Sequence, residues 1–367
     1  MNFLLAGGMD VSFILDALND KQREAVAAPL QNSLVLAGAG SGKTRVLVHR
    51  IAWLMHAYEL SPYSLMAVTF TNKAAREMQG RIEQLVGVPP QGMWVGTFHG
   101  LAHRLLRAHW RDAGLKENFQ IMDSDDQLRL IKRIMRDMSI DETRWPPKQV
   151  AWFINAQKDE GLRSNHIQDE GDLYIRTHLS IYRAYEEACD RGGMVDFAEL
   201  LLRMHETLLA QPALLNHYRE RFKVILVDEF QDTSPIQLEI FWKLSQFAKF
   251  SIWVGDPKQS IYGFRGADPE LMQAIIKQTG GVKPEDIQEF SWRSRQDLVH
   301  AVNAIFVKAF PNLPVEQIAL KPAPPKVKSK EPFEQDNALI HWHYQKDTPG
   351  KQMPGKPWME NCLADFI

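Results

Sequence analysis

The chain has 367 residues, 45% of them hydrophobic and 24% charged. That leaves room for two or three domains of ~100–200 residues and excludes disordered and fibrous classes. Forty-three Lys and Arg against 45 Asp and Glu give a net charge of −2, so a polyanion would have to be gripped by local groups. Only two cysteines, Cys189 and Cys362, are present, which excludes a disulfide scaffold and fits a cytoplasmic protein. No run of ~18 apolar residues marks a membrane span, and no membrane partner is expected.

In chain order, Asn19-Asp20-Lys21-Gln22 can open a helix through a capping box. Ser33-Leu34-Val35-Leu36 reads as a short buried strand running into Gly38-Ala39-Gly40-Ser41-Gly42. From Lys43, apolar Leu47, Ile51, Leu54 and Met55 recur at helical spacing. Leu65 to Phe70 predicts a second strand, followed by a helix over Lys73–Leu85. Strand–helix alternation predicts a parallel sheet covered by helices. From Leu101 to Asp190 glycines are few and β-branched runs are absent, which predicts a helical insertion. Ser124-Asp125-Asp126-Gln127 reads as another capping box, with Leu128, Ile131, Ile134 and Met135 on one helical face. Strands resume at Val224–Val227 and Ile252–Gly255. A strand at Phe290–Arg293 and a helix over Gln296–Phe310 start a further unit. Beyond it, Lys321–Lys330 reads as an extended linker and Ala338–Tyr344 as one more strand.

Ala37-Gly38-Ala39-Gly40-Ser41-Gly42-Lys43-Thr44 stands between a strand and a helix, the context a phosphate-binding loop requires. Glycines let backbone N–H groups curl around phosphate oxygens. Lys43 would reach the β/γ-phosphates, and the Thr44 hydroxyl would face Mg2+. Ala37 replaces the usual first glycine, which predicts a position without positive φ. A second acidic element is needed, and Asp228-Glu229 at the end of a buried strand supplies it. Asp228 would hold the metal and Glu229 would polarise the attacking water. The long stretch between Lys43 and Asp228 excludes a minimal P-loop domain and points to a large motor ATPase that turns over ATP.

Five segments occur in order: Leu18–Val26, Ala37–Leu47, Ala67–Ala75, Gly96-Thr97-Phe98-His99-Gly100 and Asp228-Glu229-Phe230-Gln231-Asp232. Together they resemble the successive motifs of the UvrD/PcrA/Rep helicases of superfamily 1, most closely over residues 9–237. The resemblance starts at Met9 and implies that residues 1–8 are an N-terminal extension. Asp256-Pro257-Lys258-Gln259 and Ser291-Trp292-Arg293-Ser294 are more similar to the RecB/AddA branch, and so is the stretch 238–310.

The resemblance implies an α/β fold. A RecA-like motor domain would occupy 9–97 and 191–285, with a helical inserted subdomain over 98–190. A second RecA-like domain would begin over 286–310, and 311–367 would be linker and irregular chain. It implies that Gln22 reads adenine, although the same side chain is the capping-box partner of Asn19. It places Arg45 at the nucleotide, Gln259 as the sensor of the γ-phosphate, and Arg293 as a cation reaching that phosphate. DNA contacts are implied at Phe70, Thr71 and Asn72, at Thr97, Phe98 and His99, and at Tyr262, Phe264 and Arg265, a segment whose aromatic rings would stack on bases. The implied activity is ATP-dependent 3′–5′ translocation on single-stranded DNA and at single/double-strand junctions in repair, with repair-protein partners. The family chain continues well past these motifs, so weak nucleotide binding and poor unwinding are expected of this chain alone. The alternatives are a non-motor ATP- and DNA-binding fragment, the helicase portion of a helicase–nuclease, and a P-loop ATPase unrelated to nucleic acid.

Overall fold

A computed structural model describes residues 11–38, 40–87, 89–245, 248, 250–256, 259, 276–277, 287–311 and 314–323. Short helices α1 (Ser12–Leu15) and α2 (Asp20–Ala27) precede β1 (Ser33–Ala37) and α3 (Lys43–Ala57). Then come β2 (Leu65–Thr69), α4 (Asn72–Val86), β3 (Trp94–Thr97) and α5 (Phe98–Ala108). A pair of two-residue strands, β4 (Gln120–Ile121) and β5 (Met194–Val195), brackets α6 (Ser124–Asp137), α7 (Pro147–Asp159) and α8 (Leu173–Gly192). Helices α9 (Phe197–Ala210) and α10 (Pro212–Arg221) lead back to β6 (Val224–Asp228), α11 (Pro235–Ser245) and β7 (Phe250–Gly255). The last described elements are β8 (Ile287–Gln288), β9 (Phe290–Ser291), α12 (Gln296–Ala309), α13 (Val315–Ile318) and β10 (Lys321–Pro322).

Among the described residues, six strands form one sheet in the order β3-β2-β6-β7-β1-β8, every pairing parallel. Side chains alternate across a strand, so a sheet covered on both faces must be apolar at consecutive positions. Val224 and Leu226 pack with Val35, Ala37, Leu65, Ala67, Ile252 and Val254 against α3 and α4. Ile225 and Val227 pack with Leu36, Met66, Val68 and Trp253 on the opposite face, under α5, α9 and α10. The α3 helix follows the sequence reading: Leu47, Ile51 and Leu54 are buried.

The helical insertion has its own core, built from Met122, Leu130, Ile131, Ile134, Met135, Phe153, Tyr182 and Tyr185 among others. Helix α5 does not belong to it. Phe98, Leu101, Leu105 and Leu106 are packed into the sheet's core, so the separate helical core begins after α5 rather than at residue 98. The expected second capping box also differs. Asp123, not Ser124, caps α6, its carboxylate accepting the Asp126 N–H at 2.8 Å. Gln127 turns inward instead and donates to Asn155 at 2.8 Å and to Asp196 at 3.3 Å.

A buried ionic cluster joins the insertion to α9. Lys158 is 2% exposed and reaches Asp196 at 2.7 Å and Glu199 at 3.0 Å. Tyr185 donates to Asp196 at 2.7 Å, and Arg163 forks onto Glu199 and Glu206 at 2.6–2.8 Å. Burial opposes the charge on Lys158, but the two carboxylates hold its ammonium above the ordinary lysine range. Glu199 is likewise buried, yet Lys158, Arg163 and Arg203 hold its carboxyl below the usual range. At the cluster's margin, burial and then the charges of Asp196 and Glu160 push Asp159 up to about 7. Between its ordinary value of 3.8 and 7 the folded chain therefore binds the extra proton, and this group's contribution to stability improves on acidification. Asp159→Asn is expected to stabilise the fold at pH 8 by up to ~4 kcal/mol, roughly three pKa units at ~1.4 kcal/mol each, with the gain vanishing near pH 4. Urea unfolding at both pH values checks this, and an equal effect at both would contradict it.

At the C-terminal side, β9 pairs in parallel with β10, away from the main sheet. Lys321 and Pro322 are thus strand residues rather than part of a linker. Residues 324–330 and the expected strand over 338–344 lie outside the described residues. On α12, Val299 is buried, while Val302 and Ile305 are 49% and 61% exposed.

Candidate functional site

All six strands point the same way, so the loops that follow them meet at one sheet edge, where open α/β sheets place ligands. The loop after β1 is the Gly-rich segment. Gly40 and Gly42 have φ of 78° and 95°, the left-handed region that glycine enters without a steric penalty. Ala37 is the last residue of β1 and needs no such freedom, as its side chain predicts. Lys43 and Thr44 open α3, with Gly42 as its left-handed N-cap. Ala39 is outside the described residues.

The loop after β6 brings the carboxylates. The Thr44 hydroxyl lies 3.4 Å from Asp228 Oδ2. Glu229 has φ of 57°, unusual and strained for a residue with a side chain. That backbone turn presents its carboxylate to the Thr69 hydroxyl at 3.4 Å, while its N–H donates to Asp228 Oδ1 at 3.1 Å. Burial, and then the neighbouring Glu229 charge, push the Asp228 carboxyl up to about 7. A hydroxyl and a buried carboxylate converging on one point are hard oxygen donors, the set that suits Mg2+ completed by waters and phosphate oxygens. The residues present therefore fit the metal that the loop implies.

Beyond β7, Gln259 accepts a hydrogen bond from Lys43 Nζ at 3.0 Å and donates to Asp256 at 2.7 Å. The 291–293 segment lies over the loop. Trp292 N–H donates to the Gly40 carbonyl at 2.8 Å, and a Cβ built on Gly40 would stand 2.6 Å from Arg293 Cβ. Arg293 is exposed there, beside the phosphate loop. Lys43, Thr44, Asp228, Glu229, Gln259 and Arg293 are thus gathered around one loop.

Gln22 resolves its two readings in an unexpected way. The capping box with Asn19 is formed in both directions, at 2.8 and 3.2 Å. The remaining amide protons serve the loop: Nε2 donates to the Ser41 carbonyl at 3.0 Å. The side chain is 4% exposed and props the phosphate loop against α2. Adenine recognition would require it to exchange these bonds. Gln22→Ala is expected to cost ~1–2 kcal/mol of stability, since a cap and a buried strut go together. A urea midpoint equal to the wild type would contradict that role. Arg45 turns away from the loop and donates to the Ala17 carbonyl at 2.7 Å.

The segments that the resemblance assigns to DNA follow β2 and β3 along the same edge, in register Thr69↔Thr97. Thr71 and Thr97 cap α4 and α5 through their hydroxyls, accepting the Ala74 and Gly100 N–H groups at 3.1 Å. Thr97 Oγ1 also reaches Asn72 Oδ1 at 3.5 Å, which ties the two loops together. Thr71 and Asn72 are exposed and Phe70 is half-buried. Phe98 corrects the expectation of a DNA contact: its ring is 4% exposed and packed in the sheet's core. Burial pushes the His99 imidazole down to about 4, so it is neutral at pH 7 and brings no charge to a phosphate. Its ring stands edge-on to Phe197 at 6.1 Å, and Phe197 is 49% exposed. Phe197 went unnoticed in the sequence because it sits far from His99 along the chain. Tyr262, Phe264 and Arg265 lie outside the described residues.

Comparison with known proteins agrees with this architecture. Residues 18–280 match the UvrD/REP helicase N-terminal domain. The chain is 60% identical over 297 residues to DNA helicase II of Escherichia coli, covering 81% of this chain and 41% of that protein. It is 53% identical over 302 residues to DNA helicase II of Haemophilus influenzae, with the same coverage. It is 36% identical over 289 residues to the ATP-dependent DNA helicase PcrA of Staphylococcus epidermidis, covering 78% of this chain and 40% of that one. The chain therefore spans about two fifths of the length of the curated relatives it matches. A parallel sheet carrying a phosphate loop and an Asp-Glu pair at one edge, matched over most of the chain, places this protein in the UvrD/REP helicase family, in its N-terminal domain.

Proposed function

We propose that the chain is the nucleotide-hydrolysing, DNA-engaging portion of a UvrD-type 3′–5′ DNA helicase that works on single-stranded DNA and strand junctions in cytoplasmic DNA repair. The observation that carries this reading is the meeting of Lys43 and Thr44 with Asp228 and Glu229 at a single sheet edge. Lys43 binds the β/γ-phosphates of ATP, and the backbone from Gly40 to Thr44 cradles them. Thr44 and Asp228 hold Mg2+, which when bound would neutralise phosphate charge. Glu229 orients water for in-line attack and accepts its proton, with Thr69 fixing the carboxylate. Gln259 and Arg293 stand where the terminal phosphate would lie, and Arg293 offsets the charge that spreads over it.

DNA runs along the same edge, over Phe70, Thr71, Asn72, Thr97 and His99, with Tyr262, Phe264 and Arg265 supplying stacking. Stacking and hydrogen bonding suit a near-neutral chain better than a basic groove would. The motor domain takes in the six-stranded sheet, and the core around α6, α7 and α8 forms its insertion. Unwinding belongs to the whole protein, together with its repair partners. ATP hydrolysis by the chain, with and without single-stranded DNA, tests the reading. Stimulation by DNA is expected, together with little strand displacement. Robust unwinding by the chain alone would overturn the second expectation, and an absence of nucleotide binding would overturn the whole reading.

A further inference from the structure

A chain of hydrogen bonds runs from the turn after β6 to the phosphate loop. Gln231 Nε2 donates to Asp232 Oδ2 at 3.2 Å, and Gln231 Oε1 accepts the Asp256 backbone N–H at 3.0 Å. Asp256 Oδ2 accepts Gln259 Nε2 at 2.7 Å, and Gln259 Oε1 accepts the Lys43 ammonium at 3.0 Å. Both amides have only one sensible orientation. The oxygen of Gln231 faces a backbone donor, while Gln259 lies between a donor-only ammonium and a carboxylate acceptor. Gln231 and Asp256 are each 3% exposed, so these bonds form away from water, where they are stronger and fix geometry.

The backbone has been shaped for this contact. A Cβ on Gly255 would stand 2.6 Å from Gln231 Oε1 and 2.4 Å from the Phe230 ring. Glycine at the end of β7 is what lets the 230–231 turn come close enough to hold Asp256. Neither the nucleotide nor DNA is expected to touch Gln231, which has no part in the roles assigned above.

We propose that Gln231 and Asp256 are positioning residues for the phosphate site: they anchor the end of β7 so that Gln259 stands beside Lys43, where it meets the terminal phosphate of a triphosphate. This rests on the phosphate-loop reading above and adds the residues that set its sensor. A diphosphate needs Lys43 but not Gln259, whereas a triphosphate uses both. Loss of the anchor therefore removes the preference for triphosphate and leaves diphosphate binding in place. A merely structural defect would weaken both alike.

The test is titration of the full chain with Mg2+ and fluorescent ADP or a fluorescent non-hydrolysable ATP analogue. Gln231→Met is expected to lose about tenfold of the triphosphate preference, the worth of one hydrogen bond to a charged group, with ADP affinity within about twofold of the wild type. Gln259→Leu should do the same, and the double variant should lose no more than either single one, because both act through one contact. Additive losses, or an unchanged preference in a folded Gln231→Met, would overturn the proposal. Should that variant fail to fold, Asp256→Asn decides: it weakens the charged acceptor for Gln259, a severalfold loss of preference supports the relay, and none refutes it. Lys43→Ala separates this from the parent reading. If it abolishes binding of both nucleotides while the relay variants bind as wild type, the relay alone falls. If it binds both normally, the phosphate-loop reading falls.

Discussion

Glu229→Gln is expected to lower DNA-stimulated ATP hydrolysis by ~10²–10⁴-fold while leaving nucleotide affinity close to the wild type. The amide keeps an oxygen for the Thr69 hydroxyl and nearly the same shape, so the turn at φ 57° should persist. In the proposed mechanism, what is lost is the basic oxygen that would take a proton from water. Lys43→Ala should behave differently and weaken binding and hydrolysis together, by at least ~10-fold in affinity, because a charge-assisted contact to phosphate disappears. It also leaves Gln259 without its ammonium partner. Nucleotide titration alongside steady-state hydrolysis separates the two patterns. Wild-type hydrolysis in either variant would remove that residue from its assigned role.

The largest effect on stability is expected far from the nucleotide, at Lys158. Lys158→Met leaves Asp196 and Glu199 buried at 4% and 6% side-chain exposure with one cation fewer. Breaking a buried pair from one side costs about 3–5 kcal/mol, because the surviving charge can neither hydrate nor pair. Arg163 and Arg203 still reach Glu199, so the burden falls mainly on Asp196. The pH dependence follows from Glu199, whose folded carboxyl is held below the ordinary value of 4.5. The unfolded chain then binds more protons, so the cluster's contribution is present above about pH 4.5 and is lost as pH falls below it. Urea unfolding at pH 7 checks the size of the effect. A midpoint within error of the wild type would show that the cluster has relaxed or admitted water.

The sheet and the phosphate loop were legible because they depend on local features. Consecutive apolar residues at Val224–Val227 mark a strand buried on both faces, and glycines at 40 and 42 mark the positions with positive φ. The α6 cap was misplaced by one residue because Asp123 and Ser124 are both good caps, and only the inward turn of Gln127 toward Asn155 decides between them. Phe98 was misassigned for a related reason. It belongs to a segment at the site, yet the first turn of α5 carries its ring into the core while its neighbours stay at the edge. Gln22 shows the opposite case: the capping-box reading holds, and the other end of the same amide is spent on the Ser41 carbonyl, a contact between distant stretches of chain that no local pattern marks. The tie from Gln231 to Lys43 could not be read at all, since it joins residues from three separate stretches of chain.

The placement of the helical insertion bears on how the protein is made. Leu65 and Val224 are paired neighbours in the sheet, but the whole insertion is synthesised between them. Closing so long a stretch of loose polymer is entropically slow, and contacts between distant residues retard folding. Because the insertion has a core of its own, it can collapse first and bring its two ends together at the β4–β5 pair. The nascent sheet would then join across a much shortened loop. A variant that loosens that core should slow refolding before it alters the finished sheet.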